Sequence, residues 1–165
     1  MQMIRNLFQR KSAFLVKGIQ FVEKNQPKEA ISVLTEAIAS GDKSADVQYH
    51  LGLAHYMRKD VKAAVEAFEA SVEIKALPDA LVNLGNIYLM KQDNANIKKS
   101  IKLFEQALQL APSDGQIHFN LGVAYEKNGQ LDKALQSYRE SRDYGVEQAN
   151  TYFRNVASKL LKVSE

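Results

Sequence analysis

Apolar residues recur along the chain at intervals of about three to four positions, the period of an amphipathic α-helix. No segment alternates apolar and polar residues in the way a half-buried strand does. Proline and glycine are few, at 3 and 8 copies, and they fall mainly between the periodic segments. The pattern predicts nine helices of roughly 12 to 16 residues joined by short turns.

Several residues mark where these helices begin and end. Pro27 suits the first turn of a helix, because its missing N–H costs nothing there. Gly145 follows a periodic run and is typical of a left-handed C-terminal stop. Ser113 and Gln116 have the spacing of a capping box, which predicts a helix that starts near Asp114.

The apolar pattern also repeats at a longer interval. Leu51-Gly52 recurs as Leu84-Gly85 and as Leu121-Gly122, at intervals of 33 and 37 residues. An aromatic residue or histidine lies three positions after each glycine, and the next helix carries a small residue followed four positions later by Phe or Tyr. A period of roughly 20 to 50 residues indicates a solenoid, in which each unit buries its apolar face against its neighbours.

Each repeat glycine is expected to let the second helix of its unit approach closely. The small residue of that second helix is expected to fill the contact, while the aromatic residue closes the end of the helix pair. Counting back 34 residues from Gly52 reaches Gly18, which indicates a degenerate first repeat before the three clear ones. The small residues of the clear repeats are Ala64, Ser100 and Ala134.

The unit resembles the tetratricopeptide repeat, whose order over about 34 residues is Trp-x2-Leu-Gly-x2-Tyr, Ala-x3-Phe-x2-Ala, Pro. The fourth unit matches best, through residues 119–125 followed by Ala134 and Tyr138. The third unit supplies the family's terminal proline as Pro112. The resemblance implies an all-α fold, a right-handed α-solenoid of four helix-turn-helix units followed by a C-terminal capping helix.

The resemblance also implies the domain organisation. The expected segments are a basic amphipathic extension at 1–10, a repeat domain at 11–148 with repeats at about 11–44, 45–77, 78–114 and 115–148, and a capping helix at 149–165. About three extra residues within 91–99 are interpreted as a longer loop between two helices, with a dedicated contact loop as the alternative. Serine replaces the family's alanine, with an expected loosening of contacts, at Ser71, Ser100 and Ser141.

In this family the first helix of each unit lines a concave groove that binds a partner peptide. Carried over by position, the groove mixes aromatic and methionine side chains with amides, which suits a peptide with apolar side chains and a hydrogen-bonding main chain. The amides are interpreted either as a ladder that holds a peptide or as ordinary helix-surface residues. The implied groove residues are Tyr49, His50, Leu53, Tyr56, Met57, Val82, Asn83, Asn86, Leu89, Met90, Phe119, Asn120, Val123, Glu126, Lys127, Phe153 and Arg154.

One specialised groove of the family, a clamp for a C-terminal carboxylate, is disfavoured. Its two asparagines and its arginine have counterparts in Asn86, Asn120 and Arg154, but Val82 and Asn150 stand where its lysines would be. Losing two of three cations removes most of the charge-assisted bonding that a carboxylate needs.

The amino-acid composition further restricts the kinds of site and function that the chain can have. Lys and Arg number 22 against 19 acidic residues, so the formal net charge is only +3, and no basic cluster predicts nucleic-acid binding. The absence of cysteine excludes disulfides and thiolate sites. His50, His55 and His118 share no helix face, and His55 is expected to be a packed core residue. The sequence predicts no enzyme activity, no cofactor and no metal site.

The N-terminal residues 1–24 carry five cations against one carboxylate, with Ile4, Leu7 and Phe8 on one helical face. Residues 1–11 are interpreted as an extension of the first helix that packs on the first repeat, or alternatively as a weak anchor to an anionic membrane. No apolar stretch is long enough for a bilayer span or a signal-peptide core. The sequence predicts a cytoplasmic adaptor for a protein or peptide segment, and the alternative is a self-associating or peripheral-membrane assembly protein.

Overall fold

The computed structural model describes the backbone of residues 2–163 and the side chains of residues 13–162. Within that range the chain folds into nine α-helices without a strand, which confirms the predicted all-α class. The side chains of the extension predicted at 1–10 lie outside the described residues. Helices α1 to α9 span Gln2–Glu23, Pro27–Ala39, Ala45–Met57, Val61–Ile74, Pro78–Met90, Asn94–Leu110, Gly115–Lys127, Leu131–Asp143 and Ala149–Val163.

The helices are divided between two compact units, Met1–Ala80 and Leu81–Glu165. In the first unit α1 packs on α2, α2 on α3 and α3 on α4. Its core centres on Leu34 and Val47, which have no exposed surface. The partly buried apolar residues packed around this core are Phe14, Leu15, Phe21, Val22, Ile31, Ile38 and Leu51.

The second unit follows the same scheme of sequential helix pairs. Its helix α6 packs on α7, α7 on α8 and α8 on α9. Phe104 of α6, Tyr138 of α8 and Val156 of α9 are fully buried. Within each unit these packed helices therefore contribute apolar residues to a shared core, as the helical period of the sequence predicts.

The glycines of the three clear repeats lie under aromatic rings, which corrects the predicted packing. A Cβ on Gly52 would lie 2.6 Å from Cδ1 of Phe68, and one on Gly122 would lie 2.7 Å from Cδ1 of Tyr138. The small residues Ala64 and Ala134 are buried, but the atoms closest to each glycine belong to the ring. The prediction that the small residue fills this contact is therefore wrong, because the aromatic ring occupies the space that the missing side chain leaves.

Two of the serines that replace alanine tie helices together. The hydroxyl of Ser71 on α4 donates to the carbonyl of Ala45 at the start of α3, with an O···O distance of 2.9 Å. Ser141 on α8 donates in the same way to Gly115 at the start of α7, at 2.8 Å. Both hydroxyls are buried, so each bond joins the two helices of a pair. The expected loosening of contacts is wrong at these two positions.

The extra residues of the third repeat lengthen a helix and not a loop. Helix α6 has 17 residues, whereas α4 has 14 and α8 has 13. Only residues 91–93 separate α5 from α6. Asp93 caps α6 by accepting a hydrogen bond from the N–H of Asn96 at 2.9 Å, so the helix begins about one turn earlier than its counterparts. Both loop interpretations of this segment are wrong.

The helices begin and end where the proline and glycine residues predict, but at one helix a different residue forms the N-terminal cap. Pro27 opens α2, and Gly145 follows α8 with φ of 91°, as predicted. At the start of α7 the side chain of Asp114 accepts from the N–H groups of Gln116 and Ile117, at 2.8 and 3.2 Å. The capping box predicted from Ser113 is wrong, because the aspartate next to it takes the capping position.

Candidate functional site

An open pocket of about 460 Å³ lies between α7 and α9 in the second unit. Val123, Glu126 and Lys127 of α7 form one side, and Tyr152 and Lys159 of α9 form the other. Glu126 and Lys127 lie three and four positions after Val123, which places them beside it on the surface of the helix. All three are predicted groove residues. We call this site the α7/α9 pocket.

A cluster of three aromatic rings positions the tyrosine of the pocket. The ring of Tyr152 meets the ring of Phe119 edge to face, with centroids 4.9 Å apart, and its centroid lies 5.4 Å from that of Tyr138. Edge-to-face and tilted pairs at these separations attract each other and restrict ring rotation. Phe119, a predicted groove residue, is only 8% exposed and contacts the pocket through the ring of Tyr152.

The carboxylate of Glu126 connects three helices at the pocket. Its Oε2 accepts a hydrogen bond from the Tyr138 hydroxyl at 2.9 Å, and its Oε1 accepts one from Lys159 Nζ at 2.6 Å. Burial, reinforced by this bond to Glu126, raises the pKa of Tyr138 well above its usual range. The hydroxyl therefore remains a donor, and the carboxylate is held by an uncharged donor and a cation together.

The residues of α9 that line the pocket are not the residues predicted for the groove. Phe153 lies against α8, where its ring centroid is 5.8 Å from the guanidinium of Arg139 and 5.7 Å from that of Arg142. Arg154 is exposed, and neither residue lines the α7/α9 pocket. The seven-residue spacing of Tyr152 and Lys159, which places both on one face of a helix, is the sequence signal that could have identified them.

The predicted residues of α5 differ widely in exposure. Leu89 is 9% exposed and contributes to the core, whereas Met90 is 67% exposed. Val82, Asn83 and Asn86 are half-buried. Their role in binding stays a prediction.

Asn120 of α7 lies one turn before Val123 and adjoins the α7/α9 pocket along the helix. Its side chain is half-buried, and its Oδ1 accepts a hydrogen bond from Gln116 Nε2 at 3.2 Å. Because an amide has two donors and two acceptor positions, this bond leaves capacity for a ligand.

The predicted residues of α3 belong to the first unit. Tyr49 stacks edge to face with His50, with ring centroids 5.0 Å apart, and its ring also tilts against Phe68 at 5.9 Å. His50 Nδ1 lies 2.8 Å from the carbonyl of Asp46. Tyr56 is 38% exposed, while Leu53 and Met57 are half-buried.

His118 and His55 each lie beside a carboxylate. His118 is buried, with Nε2 2.8 Å from the carbonyl of Pro112 and Nδ1 2.9 Å from Glu140 Oε2. His55, expected in the core, is half-buried, and its side chain is 20% exposed beside Asp60. In the described part of the chain no three His, Asp or Glu side chains converge as a metal site. None of the helices described there has the length and apolar character to cross a membrane.

Comparison with known proteins agrees with the repeat pattern. Sequence profiles of the tetratricopeptide repeat match residues 15–80, 78–114 and 103–136. The chain is 32% identical over 134 residues to a barley (Hordeum vulgare) protein named probable UDP-N-acetylglucosamine–peptide N-acetylglucosaminyltransferase SPINDLY, covering 78% of this chain and 14% of the relative. It is 27% identical over 108 residues to photosystem I assembly protein Ycf3 of Prochlorococcus marinus, covering 61% and 62%. The chain thus spans less than two thirds of either relative.

Solved structures with low sequence identity share the fold. The chain superposes on pilF of Pseudomonas aeruginosa with a TM-score of 0.80 at 15% identity, covering 95% of this chain and 72% of the other. MamA from Desulfovibrio magneticus gives a TM-score of 0.74 at 20% identity, covering 94% and 93%. These likenesses show the fold, an all-α solenoid.

Proposed function

Because the chain belongs to the tetratricopeptide repeat family, we propose that it is a non-enzymatic adaptor that binds a segment of a partner protein along the first helices of its repeats. Proteins of this family mediate protein–protein interactions and assembly. The observation that carries the proposal is the α7/α9 pocket, where apolar, aromatic and cationic side chains line one open recess. Its partner is a protein or peptide segment.

The chemistry of the pocket suits a peptide. Tyr152 is 40% exposed and is already held by neighbouring rings, so a ligand would lose little entropy in ordering it. Val123 adds apolar surface, and Lys127 adds an exposed ammonium group that can donate to carbonyl or carboxylate oxygens. An open recess lets a chain enter and leave at its ends, whereas a small-molecule site encloses most of its ligand.

The enzyme name of the barley relative does not extend to this chain. The aligned segment makes up 14% of that protein, so most of the transferase lies outside the similarity. We therefore propose binding without catalysis and without a cofactor.

The amides of the groove provide the test. If Asn120 holds a peptide main chain, Asn120→Ala leaves polar groups of the ligand unpaired and weakens binding by about 1 to 3 kcal/mol, or roughly 5- to 150-fold. A partner is first captured from the native source with the full chain and identified by mass spectrometry, and its binding segment is then titrated by calorimetry.

A second asparagine serves as the control that distinguishes an effect on binding from an effect on stability. Asn155 is an exposed residue of α9 that does not line the pocket, so Asn155→Ala should leave the affinity unchanged. Both variants should keep the wild-type urea midpoint, since a surface amide contributes little to folding. If the captured segment binds Asn120→Ala and the Tyr152→Ala variant as tightly as wild type, the α7/α9 pocket is not its binding site and the proposal fails.

A further inference from the structure

A second recess, of about 290 Å³, lies in the second unit between α6, α8 and the turn that joins α7 to α8. It shares no residue with the α7/α9 pocket. Lys98 and Lys102, one turn apart on α6, line one side, and Lys133 in the first turn of α8 lines the other. All three lysines are exposed. We call this site the lysine recess.

The floor of the recess holds one of these cations in place. The ring of Tyr125 lies at the floor, 7% exposed, and Lys133 Nζ is 5.3 Å from its centroid. A cation over an aromatic face is attracted by the ring's quadrupole, so the ring favours the position of the ammonium group without neutralising it.

One carboxylate, that of Glu105, also lines the recess, and its position determines how far it offsets the charge of the three lysines. Glu105 Oε1 accepts a hydrogen bond from the Tyr125 hydroxyl at 2.6 Å, which turns this carboxylate toward the tyrosine. Burial and this bond together raise the pKa of Tyr125, so its hydroxyl is a neutral donor at ordinary pH. Three ammonium groups therefore face one carboxylate. The side-chain amides of Asn128 and Gln130 add N–H donors at the rim.

We propose that the lysine recess binds an acidic segment of a partner protein. Carboxylates on flexible Asp or Glu side chains can enter a recess and meet both walls, where the lysines offer charge-assisted hydrogen bonds. A membrane surface is flat and cannot reach the floor. A nucleic acid binds through a long row of cation contacts to its phosphates, whereas this recess offers three lysines with a carboxylate among them. The proposal is independent of the adaptor groove.

The test uses the full chain and a fluorescein-labelled oligo-glutamate peptide, with fluorescence anisotropy at low salt. Saturable binding is expected, with an affinity that falls as sodium chloride is added. The double variant Lys102→Glu/Lys133→Glu should bind at least about tenfold more weakly, because each reversal turns an attraction into a repulsion. A double variant with the same change in net charge, Lys28→Glu/Lys62→Glu, should bind as wild type does, because both lysines are exposed and neither lines the recess.

A second variant should act in the opposite direction. Glu105→Gln removes the negative charge of the recess but keeps an oxygen that can accept from the Tyr125 hydroxyl. Its affinity for oligo-glutamate should rise about two- to fivefold. Unfolding in urea should show that all of these variants remain folded at the temperature of the measurement.

Three outcomes would overturn the proposal. Equal weakening by both double variants would mean that net charge alone attracts the peptide. Unchanged or weaker binding by Glu105→Gln would mean that the recess is not the contact. Tighter binding of oligo-thymidylate, or of phosphatidylserine vesicles, with the same dependence on Lys102 and Lys133 would assign the lysines to nucleic acid or to a membrane.

Discussion

A glycine beneath an aromatic ring is the contact at which each clear repeat joins its two helices. Gly52 meets Phe68, Gly85 meets Phe104 and Gly122 meets Tyr138, and none of the three rings has exposed surface. A Cβ at these glycines would lie 2.5 to 2.7 Å from the closest ring atom, whereas ordinary van der Waals contact begins at 3.4 Å. The helices approach so closely because this side chain is absent.

This contact makes Gly122→Ala destabilising despite the helix propensity of alanine. Replacing glycine by alanine in a helix interior normally stabilises by about 0.5 to 1 kcal/mol. Here the new methyl group would force the Tyr138 ring or the helix to move, at a cost of about 1 to 3 kcal/mol. We expect a net loss in the free energy of unfolding, measured from the urea midpoint by circular dichroism.

A double-mutant cycle identifies the ring as the cause. Tyr138→Leu removes the aromatic ring, so adding Gly122→Ala to that background should cost clearly less than it does in the wild type. Equal costs in both backgrounds would show that the ring does not determine the closeness of the helix pair.

At the scale of the helices, caps decide where an element begins. Helix α7 starts at Gly115 because Asp114 accepts from two of its first N–H groups, which have no partner within the helix. Asp114→Ala should lower the free energy of unfolding by about 0.5 to 2 kcal/mol, as measured in urea. The neighbouring Ser113→Ala should change it very little. A larger loss for Ser113→Ala than for Asp114→Ala would contradict this assignment.

The same helices show what sequence patterns determine and what they leave open. Pro27 and Gly145 act locally, because each restricts or frees the backbone at its own position, and both boundaries are confirmed. The length of a helix is harder to predict than its boundary residues. The extra turn of α6 depends on whether a chain continues as helix after Asp93, and loop and helix both fit the composition of that segment. The bonds made by Ser71 and Ser141 were missed because their acceptors lie 26 residues away.

For the molecule as a whole, the sequence predicts the family and fold better than the site. Three of the groove residues predicted on α7 line the α7/α9 pocket, and this helix carries the motif residues Leu121, Gly122 and Tyr125. On α9 the motif is absent, and transferring repeat positions to it selected Phe153 and Arg154 where Tyr152 and Lys159 line the pocket. The repeat and domain boundaries, groove binding, self-association and membrane contact stay predictions.

Helix α9 is predicted to be a cap, and its contacts indicate what removing it would do. Val156 and Ala149 have no exposed surface, and Tyr152 packs on the rings of Phe119 and Tyr138. A chain that ends at residue 148 would expose the partners of these side chains. Because each large apolar side chain contributes about 1.5 to 3 kcal/mol on burial, the loss should reach about 3 to 6 kcal/mol in the second unit.

Urea unfolding and light scattering of the chain ending at residue 148 would measure this loss. We expect a lower unfolding midpoint together with aggregation, since the uncovered rings form an exposed apolar patch. A chain ending at Leu160 is the control, because it retains Tyr152, Val156 and Lys159 and removes Leu161, which is 71% exposed. It should unfold near the wild-type midpoint. If both truncated chains unfold at that midpoint and remain monodisperse, α9 does not protect the core of this unit, and the prediction of a capping helix is wrong.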